Sequence, residues 1–178
     1  MVGTRDSTNF TLLDGGAMLP GAALAAVHLR QAFPDPQGRA GWCIAGALFA
    51  WLAVTAAGPF VYLVRRCGPR RAGGRPWLGD RLWALWGLPW VVAGLIAAAV
   101  PRRALAEPVR LDAAYVGSLG LGLFLATTIA VPLIAARILW GEPGRAGDAG
   151  RSPWSQWVGL ALSATWPIQV GVGLLVMG

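Results

Sequence analysis

The segment from Gly41 to Val64 contains 24 residues without a charged side chain and is followed directly by Arg65 and Arg66. An α-helix rises about 1.5 Å per residue, so roughly 20 apolar residues cross a hydrocarbon core of about 30 Å. The segment therefore predicts a transmembrane helix, and three further segments of similar character follow it. We predict that residues 40–178 form an all-α transmembrane domain, a bundle of four helices that cross at about residues 41–64, 82–100, 115–138 and 157–177.

The composition agrees with an integral membrane protein. Of the 178 residues, 56% are hydrophobic and only 13% are charged, which is more apolar surface than one soluble domain of this size buries. The net charge is +7, but the basic residues lie in short connections between apolar runs. This placement favours anionic lipid headgroups over nucleic acid as the partner. The arginines assigned to headgroup contact are Arg65, Arg66, Arg70, Arg71 and Arg75.

Residues 1–39 are predicted to form an N-terminal tail with a short helix. This helix begins near Pro20 and has one apolar side and one polar side that carries His28. Such a pattern is typical of a helix that lies in the membrane interface. The alternative is a fifth crossing from Leu12 to Leu29, which we favour less because it contains Asp14, a Gly-Gly pair and a proline.

The distribution of arginine predicts the orientation in the membrane. The loop of residues 65–81 carries six arginines against one acidic residue, Asp80. Under the positive-inside rule, this loop and the loop of residues 139–156 are expected in the cytoplasm, with both chain ends outside a plasma or inner membrane. A fifth crossing would change only the side of the N-terminus. The tryptophans that flank these loops, as an interfacial belt would, are Trp77, Trp83, Trp140, Trp154 and Trp157.

A possible internal repeat relates the first and third predicted spans. Thr55 precedes Pro59 by four residues, and Thr128 precedes Pro132 by the same spacing. Each span is followed by a loop and by a second span that contains a proline. This pattern predicts two tandem helical hairpins related by a parallel internal repeat. Coincidence is the alternative, because the alignment rests on few residues.

Each of these prolines frees the carbonyl four residues before it and is expected to kink its helix. The interpretation that we favour is ordinary kinking of membrane helices. The functional hypothesis is a shallow polar pocket at the meeting point of the kinks. Its lining side chains would be Thr55, Thr128, Thr165 and Gln169.

Small residues recur every four positions along the third and fourth predicted spans. Such stripes allow a neighbouring helix backbone to come close. On the third span the stripe comprises Ser118, Gly122, Ala126 and Ala130. On the fourth span it comprises Gly159, Ser163 and Gly171, with Pro167 between them. We expect these residues to mediate helix packing, within the chain or against another membrane protein.

The four predicted spans contain no His, Asp or Glu, the residues that usually mark chemistry at membrane depth. His28 is the only histidine, so this chain alone cannot supply a bis-histidine haem or a multi-histidine metal site. It is expected at headgroup level, and the alternative is a single axial ligand for haem or a pigment. Cys43 and Cys67 lie at opposite ends of the first span and cannot form a disulfide with each other.

These observations predict a non-catalytic multi-pass membrane subunit that packs against other integral membrane chains and stabilises or positions a larger complex. No catalytic residue, metal site or cofactor is predicted, and lipid is the expected ligand. The alternative is a small carrier or binding component for an apolar or lipid-like solute. A weaker alternative is a subunit that holds a pigment or haem through His28.

Overall fold

A computed structural model describes residues 10–32, 36–67, 77–99, 108–140, 154–166 and 171. These residues are almost entirely helical, which confirms the predicted all-α class. The five helices are α1 (Leu12–Ala32), α2 (Gly38–Cys67), α3 (Leu78–Ala99), α4 (Pro108–Trp140) and α5 (Trp154–Ala164). Four of them, α1 to α4, contain segments long and apolar enough to cross a membrane.

The predicted spans 41–64 and 115–138 lie within α2 and α4, and α3 covers the predicted span 82–100 up to its last described residue. The predicted span 157–177 begins inside α5, but most of its second half lies outside the described residues. The fourth helix of suitable length and composition is instead α1, whose candidate span is Leu12–Arg30.

The first turns of α1 and α3 are each capped by an aspartate. The backbone N–H of Thr11 donates to Oδ2 of Asp14 at 3.0 Å, and the backbone N–H of Asp14 donates to Oγ1 of Thr11 at 3.2 Å. In the same way, the backbone N–H of Trp77 donates to Oδ2 of Asp80 at 3.3 Å. These bonds occupy N–H groups that a helix leaves without a partner, and they place negative charge at the positive end of each helix dipole.

α1 lies antiparallel against α2 along most of its length. Asp14, near the start of α1, contacts Arg65, near the end of α2. Further along α1, a Cβ built on Gly21 would lie 2.6 Å from the carbonyl oxygen of Ala53, so the two backbones are in close contact. The structure therefore differs from the expected interfacial helix near Pro20: the helix starts earlier, at Leu12, and has the length and composition of the crossing alternative.

α3 is the central helix, since it packs against each of the other four. Glycines allow α3 to approach α2 closely. A Cβ on Gly87 of α3 would collide with the carbonyl oxygen of Thr55. A Cβ on Gly58 of α2 would collide with the backbone of Trp83. The indole N–H of Trp83 donates to the carbonyl oxygen of Val54 at 2.7 Å. Trp83 is therefore a buried packing residue and not part of an interfacial belt, whereas Trp140 and Trp157 are exposed.

The small-residue stripe of α4 faces α3. A Cβ on Gly122 would lie 2.9 Å from the side chain of Pro89, and Ala126 and Ala130 are buried in a cluster with Leu82 and Trp86. Ser118, the first member of the stripe, is half-buried and donates a hydrogen bond to the carbonyl oxygen of Tyr115 at 2.8 Å.

α5 also packs against α3. A Cβ on Gly159 would collide with the carbonyl oxygen of Gly79, and Oγ of Ser163 accepts a hydrogen bond from the indole N–H of Trp86 at 2.9 Å. Gly171 is half-buried, and a Cβ built on it would meet nothing within 4 Å. Over their described residues, α4 and α5 both contact α3 extensively. Leu160 of α5 and Trp166 just beyond it also pack against the cluster that contains Ala126 and Ala130 of α4, so the internal repeat stays a prediction.

Candidate functional site

Buried and half-buried polar side chains form two clusters near the two ends of α1. The first, here the Arg65 cluster, comprises Asp14, Arg65, Asp80 and Ser155, with Trp154 beside them. The second, here the His28 cluster, comprises His28, Tyr115 and the backbone carbonyl of Trp90. Both clusters join α1 to other helices, and both lie among apolar side chains, where unpaired polar groups are unfavourable.

The Arg65 cluster is built on a two-point ion pair. Nε of Arg65 lies 3.0 Å from Oδ1 of Asp14, and Nη2 of Arg65 donates to Oδ2 of the same carboxylate at 3.2 Å. The Asp14 side chain is only 3% exposed, whereas that of Arg65 is 24% exposed. Paired contacts of this kind fix the relative orientation of the two groups as well as attracting them, so α1 is held in register on α2.

The remaining contacts of Arg65 reach α3 and α5. Nη1 donates to Oγ of the fully buried Ser155 and lies 4.0 Å from Oδ1 of Asp80. The guanidinium carbon is 5.1 Å from the ring centroid of Trp154, within the range of a cation–π contact. Arg65 therefore connects four helices.

Arg65 was predicted to contact lipid headgroups, and its guanidinium instead bonds to Asp14 and Ser155, with 24% of the side chain exposed. Arg66, one residue later, lies on the exposed surface and donates to the hydroxyl of Tyr62 at 2.9 Å. The other arginines assigned to headgroups, Arg70, Arg71 and Arg75, lie outside the described residues.

The contacts of His28 determine which nitrogen of its imidazole carries the proton. Nε2 lies 2.7 Å from the carbonyl oxygen of Trp90, which can only accept, so Nε2 carries the proton. In the neutral ring, Nδ1 is then an acceptor, and the hydroxyl of Tyr115, at 2.6 Å, donates to it. Gly94 makes this approach possible, since a Cβ there would lie 3.0 Å from Nε2.

Two expectations about His28 are affected by this geometry. The side chain is 1% exposed, so the imidazole does not face lipid headgroups and is enclosed by the protein. A haem or chlorin-type pigment would need one free ring nitrogen, whereas both nitrogens of His28 already have partners within the chain. The arrangement therefore suits a structural histidine and disfavours an axial ligand.

The threonines of the hypothetical polar pocket do not share one environment. Thr55 is fully buried and donates to the carbonyl oxygen of Trp51 at 2.8 Å, whereas Thr128 is exposed and donates to that of Phe124 at 2.9 Å. Thr165 is half-buried and donates to the carbonyl oxygen of Leu162, while Gln169 lies outside the described residues. The hydroxyls of Thr55 and Thr128 thus bond within their own helices, and that of Thr165 bonds to the last turn of α5.

The threonine that does connect two segments is Thr127, next to the predicted one. Its Oγ1 accepts a hydrogen bond from the indole N–H of Trp166 at 3.0 Å and donates to the carbonyl oxygen of Leu123 at 2.7 Å. No signal in the sequence distinguishes Thr127 from Thr128, because the choice depends on which face of α4 meets the rest of the protein.

An apolar groove of about 390 Å³ runs between α1 and α2, close to the Arg65 cluster. Its lining includes Leu13, Ala17, Pro20, Phe60 and Val64, and every residue along it is apolar. The groove therefore presents a mainly apolar surface, of the kind that a hydrocarbon chain contacts.

Within the described ranges, no group of three or more His, Cys, Asp or Glu side chains could hold a metal ion. Comparison with protein-family models, with curated proteins and with solved structures finds no match.

Proposed function

We propose that this protein is a non-catalytic multi-pass subunit of a plasma or inner membrane, which packs against other integral membrane chains and stabilises or positions their assembly. One observation carries the proposal. The five buried side chains of Asp14, His28, Thr55, Ser155 and Gln156 have hydrogen-bond partners within the described part of the chain, and all but that of Thr55 bond to another helix. The buried indole N–H groups of Trp90 and Trp154 have no such partner there. The interior of the protein is thus organised to hold helices together.

Groups that carry out chemistry in membranes are usually aimed at a substrate, an ion path or a water-filled cavity. Here Asp14 and Ser155 bond to Arg65, and His28 bonds to Tyr115 and to the backbone of Trp90. Oε1 of Gln156 accepts the backbone N–H of Gly79 at 2.9 Å. Among the buried side chains of the described residues, every acid and base thus has a partner that belongs to the helix packing, which supports a structural role for these groups.

The outer surface of α4 supports contact with other membrane chains. This helix of 33 residues packs mainly against α3 through one narrow stripe. Large apolar side chains on the rest of its circumference are exposed, among them Leu121, Phe124, Ile129 and Val131. The face would be covered by lipid in an isolated subunit and by partner helices in an assembly.

The orientation that follows from this proposal has the arginine-rich connection after α2 in the cytoplasm. Because α1 lies antiparallel against α2, a crossing by α1 puts the N-terminus on that same side. We therefore propose an internal N-terminus, in place of the external one expected for a chain with four crossings.

The test is purification in mild detergent from the native membrane. The expected result is a discrete integral membrane protein that remains with this chain at a constant ratio through two separation steps. Replacing the exposed Phe124 by a photoreactive residue should cross-link that protein, whereas the same replacement at the buried Ala126 should not. Recovery of a lone monomer with no cross-linked partner at Phe124 would overturn the proposal.

A further inference from the structure

The candidate span in α1 is the least hydrophobic of the four. Its mean hydropathy is 1.4, against values of 1.8 to 2.1 for the candidate spans in α2, α3 and α4. It contains a Gly-Gly pair and a proline at position 20, and its third residue is the acidic Asp14. By composition alone, this segment stands near the boundary between a helix that inserts and one that stays in the interface.

A carboxylate at the end of a span can usually turn outward to the headgroup region, but that of Asp14 is turned into the protein. Its side chain is 3% exposed and points towards Arg65 on α2. Removing one member of a buried ion pair leaves the other charge without compensation, which is far more unfavourable than losing a surface pair. α1 can escape that penalty by leaving its position beside α2.

We propose that α1 crosses the membrane only while Asp14 is paired with Arg65, so that one arginine on α2 determines on which side the N-terminus lies. This inference rests on the membrane placement proposed above. In the paired state, the N-terminus lies on the side of the α2 end that carries Cys67. Without the pair, α1 remains on the side of the other end of α2, which carries Cys43, and the N-terminus lies there.

Asp80 is the other acidic group facing Arg65, at 4.0 Å, and it also accepts the backbone N–H of Trp77. It therefore keeps a partner within α3 when Arg65 is replaced. Asp14 also accepts a backbone N–H, that of Thr11. Its carboxylate is almost fully buried, however, so its negative charge needs the positive charge of Arg65.

Cys43 and Cys67 are both exposed and free, and they mark the two ends of α2. A membrane-impermeant maleimide applied to intact cells distinguishes the two sides. Variants that retain only Cys43 or only Cys67 provide the two reference signals. The reporter is Ser7→Cys in a chain with both native cysteines replaced by serine, and labelling after cell lysis gives the total signal.

With Arg65 present, the reporter should label like Cys67. In Arg65→Leu, its labelling should shift to the level of Cys43. Arg66→Leu removes the same charge from the same connection and should leave the labelling unchanged, because Arg66 lies on the exposed surface beside Tyr62. This control separates loss of the ion pair from loss of positive charge on one side of the membrane.

The double variant Asp14→Leu with Arg65→Leu removes both charges and should return the reporter to the side of Cys67. An unchanged reporter in Arg65→Leu, a shift of equal size in Arg66→Leu, or failure of the double variant to restore the original side would each overturn the inference. If Cys43 and Cys67 label alike, the membrane placement itself fails. If Cys43 and Cys67 label on opposite sides but the labelling of the reporter is the same with and without Arg65→Leu, only the inference fails.

Discussion

The hydroxyl of Tyr115 on α4 lies 2.6 Å from Nδ1 of His28 on α1 and joins two helices that share little other contact in the described part of the chain. The opposite ring nitrogen of His28 is bonded to the backbone of α3. One imidazole therefore connects three helices, and its tautomer is determined by the carbonyl that it contacts.

Replacing Tyr115 by Phe tests the contribution of this bond, because Phe keeps the ring and removes only the hydroxyl. Nδ1 of His28 would then be a buried acceptor without a partner. Interhelical hydrogen bonds in membrane proteins contribute about 0.6 kcal/mol on average and at most about 1.7 kcal/mol. We expect Tyr115→Phe to lower the free energy of unfolding in detergent by about 0.6–1.7 kcal/mol.

The matched control is Tyr62→Phe. The hydroxyl of Tyr62 is bonded to Arg66 on the exposed surface, where water can replace it. Its loss should change the free energy of unfolding by less than about 0.5 kcal/mol. Equal effects of the two substitutions would show that the His28 contact makes no special contribution.

A second prediction concerns the neighbouring threonines of α4. Thr127→Val removes the acceptor of the Trp166 indole N–H, whereas Thr128→Val removes an exposed hydroxyl bonded only to its own helix. We expect the first to destabilise the protein by about 0.5–1.5 kcal/mol and the second to be nearly neutral. Denaturant unfolding of both variants in the same detergent measures the difference. If only Thr128→Val were destabilising, α4 would face the protein in a different register.

These threonines illustrate what the sequence could and could not predict. The existence of α2, α3 and α4 follows from long uncharged runs, because the membrane requires that length and that composition. The rotation of each helix about its axis depends on its neighbours, and a change of one residue moves a side chain by about 100°. Of the threonines in the predicted pocket, Thr55 is buried and Thr128 faces outward, a difference that the sequence does not show.

Arg65 and α1 show the same limit in electrostatic terms. Counting charges in the connection after α2 treats each arginine as solvated, and Arg66 fits that description. Arg65 is different because Asp14, 51 residues earlier in the chain, lies against it. The sequence alone does not show this pairing, because the charge that counts against insertion of α1 is compensated by a residue on another helix.

A third prediction concerns the docking of α5. Gly79 lies in the first turn of α3, where N–H groups have no intrahelical partner, and Gln156 of α5 supplies one. Gln156→Leu should leave that N–H unsatisfied and lower the free energy of unfolding by about 1–3 kcal/mol. Trp157→Leu, at an exposed position one residue on, serves as the control and should have little effect. Protease sensitivity near Trp154 should rise only in Gln156→Leu, and a rise in both variants would contradict the docking role.

The last prediction concerns the close contact between α2 and α3. Gly87 faces the carbonyl oxygen of Thr55, the group that Pro59 deprives of its helical hydrogen bond, and a Cβ on Gly87 would collide with it. Because the obstacle is backbone and not the end of a flexible side chain, Gly87→Ala should force the helices apart and destabilise the protein by about 1–3 kcal/mol.

Gly46 on α2 is the matched control, since a Cβ there meets nothing within 4 Å. Gly46→Ala should be neutral or stabilising by up to about 1 kcal/mol, through reduced entropy of the unfolded chain. Thermal unfolding in one detergent measures the change in stability of each variant. A stabilising effect of Gly87→Ala would show that the kinked segment of α2 does not contact α3 at this point.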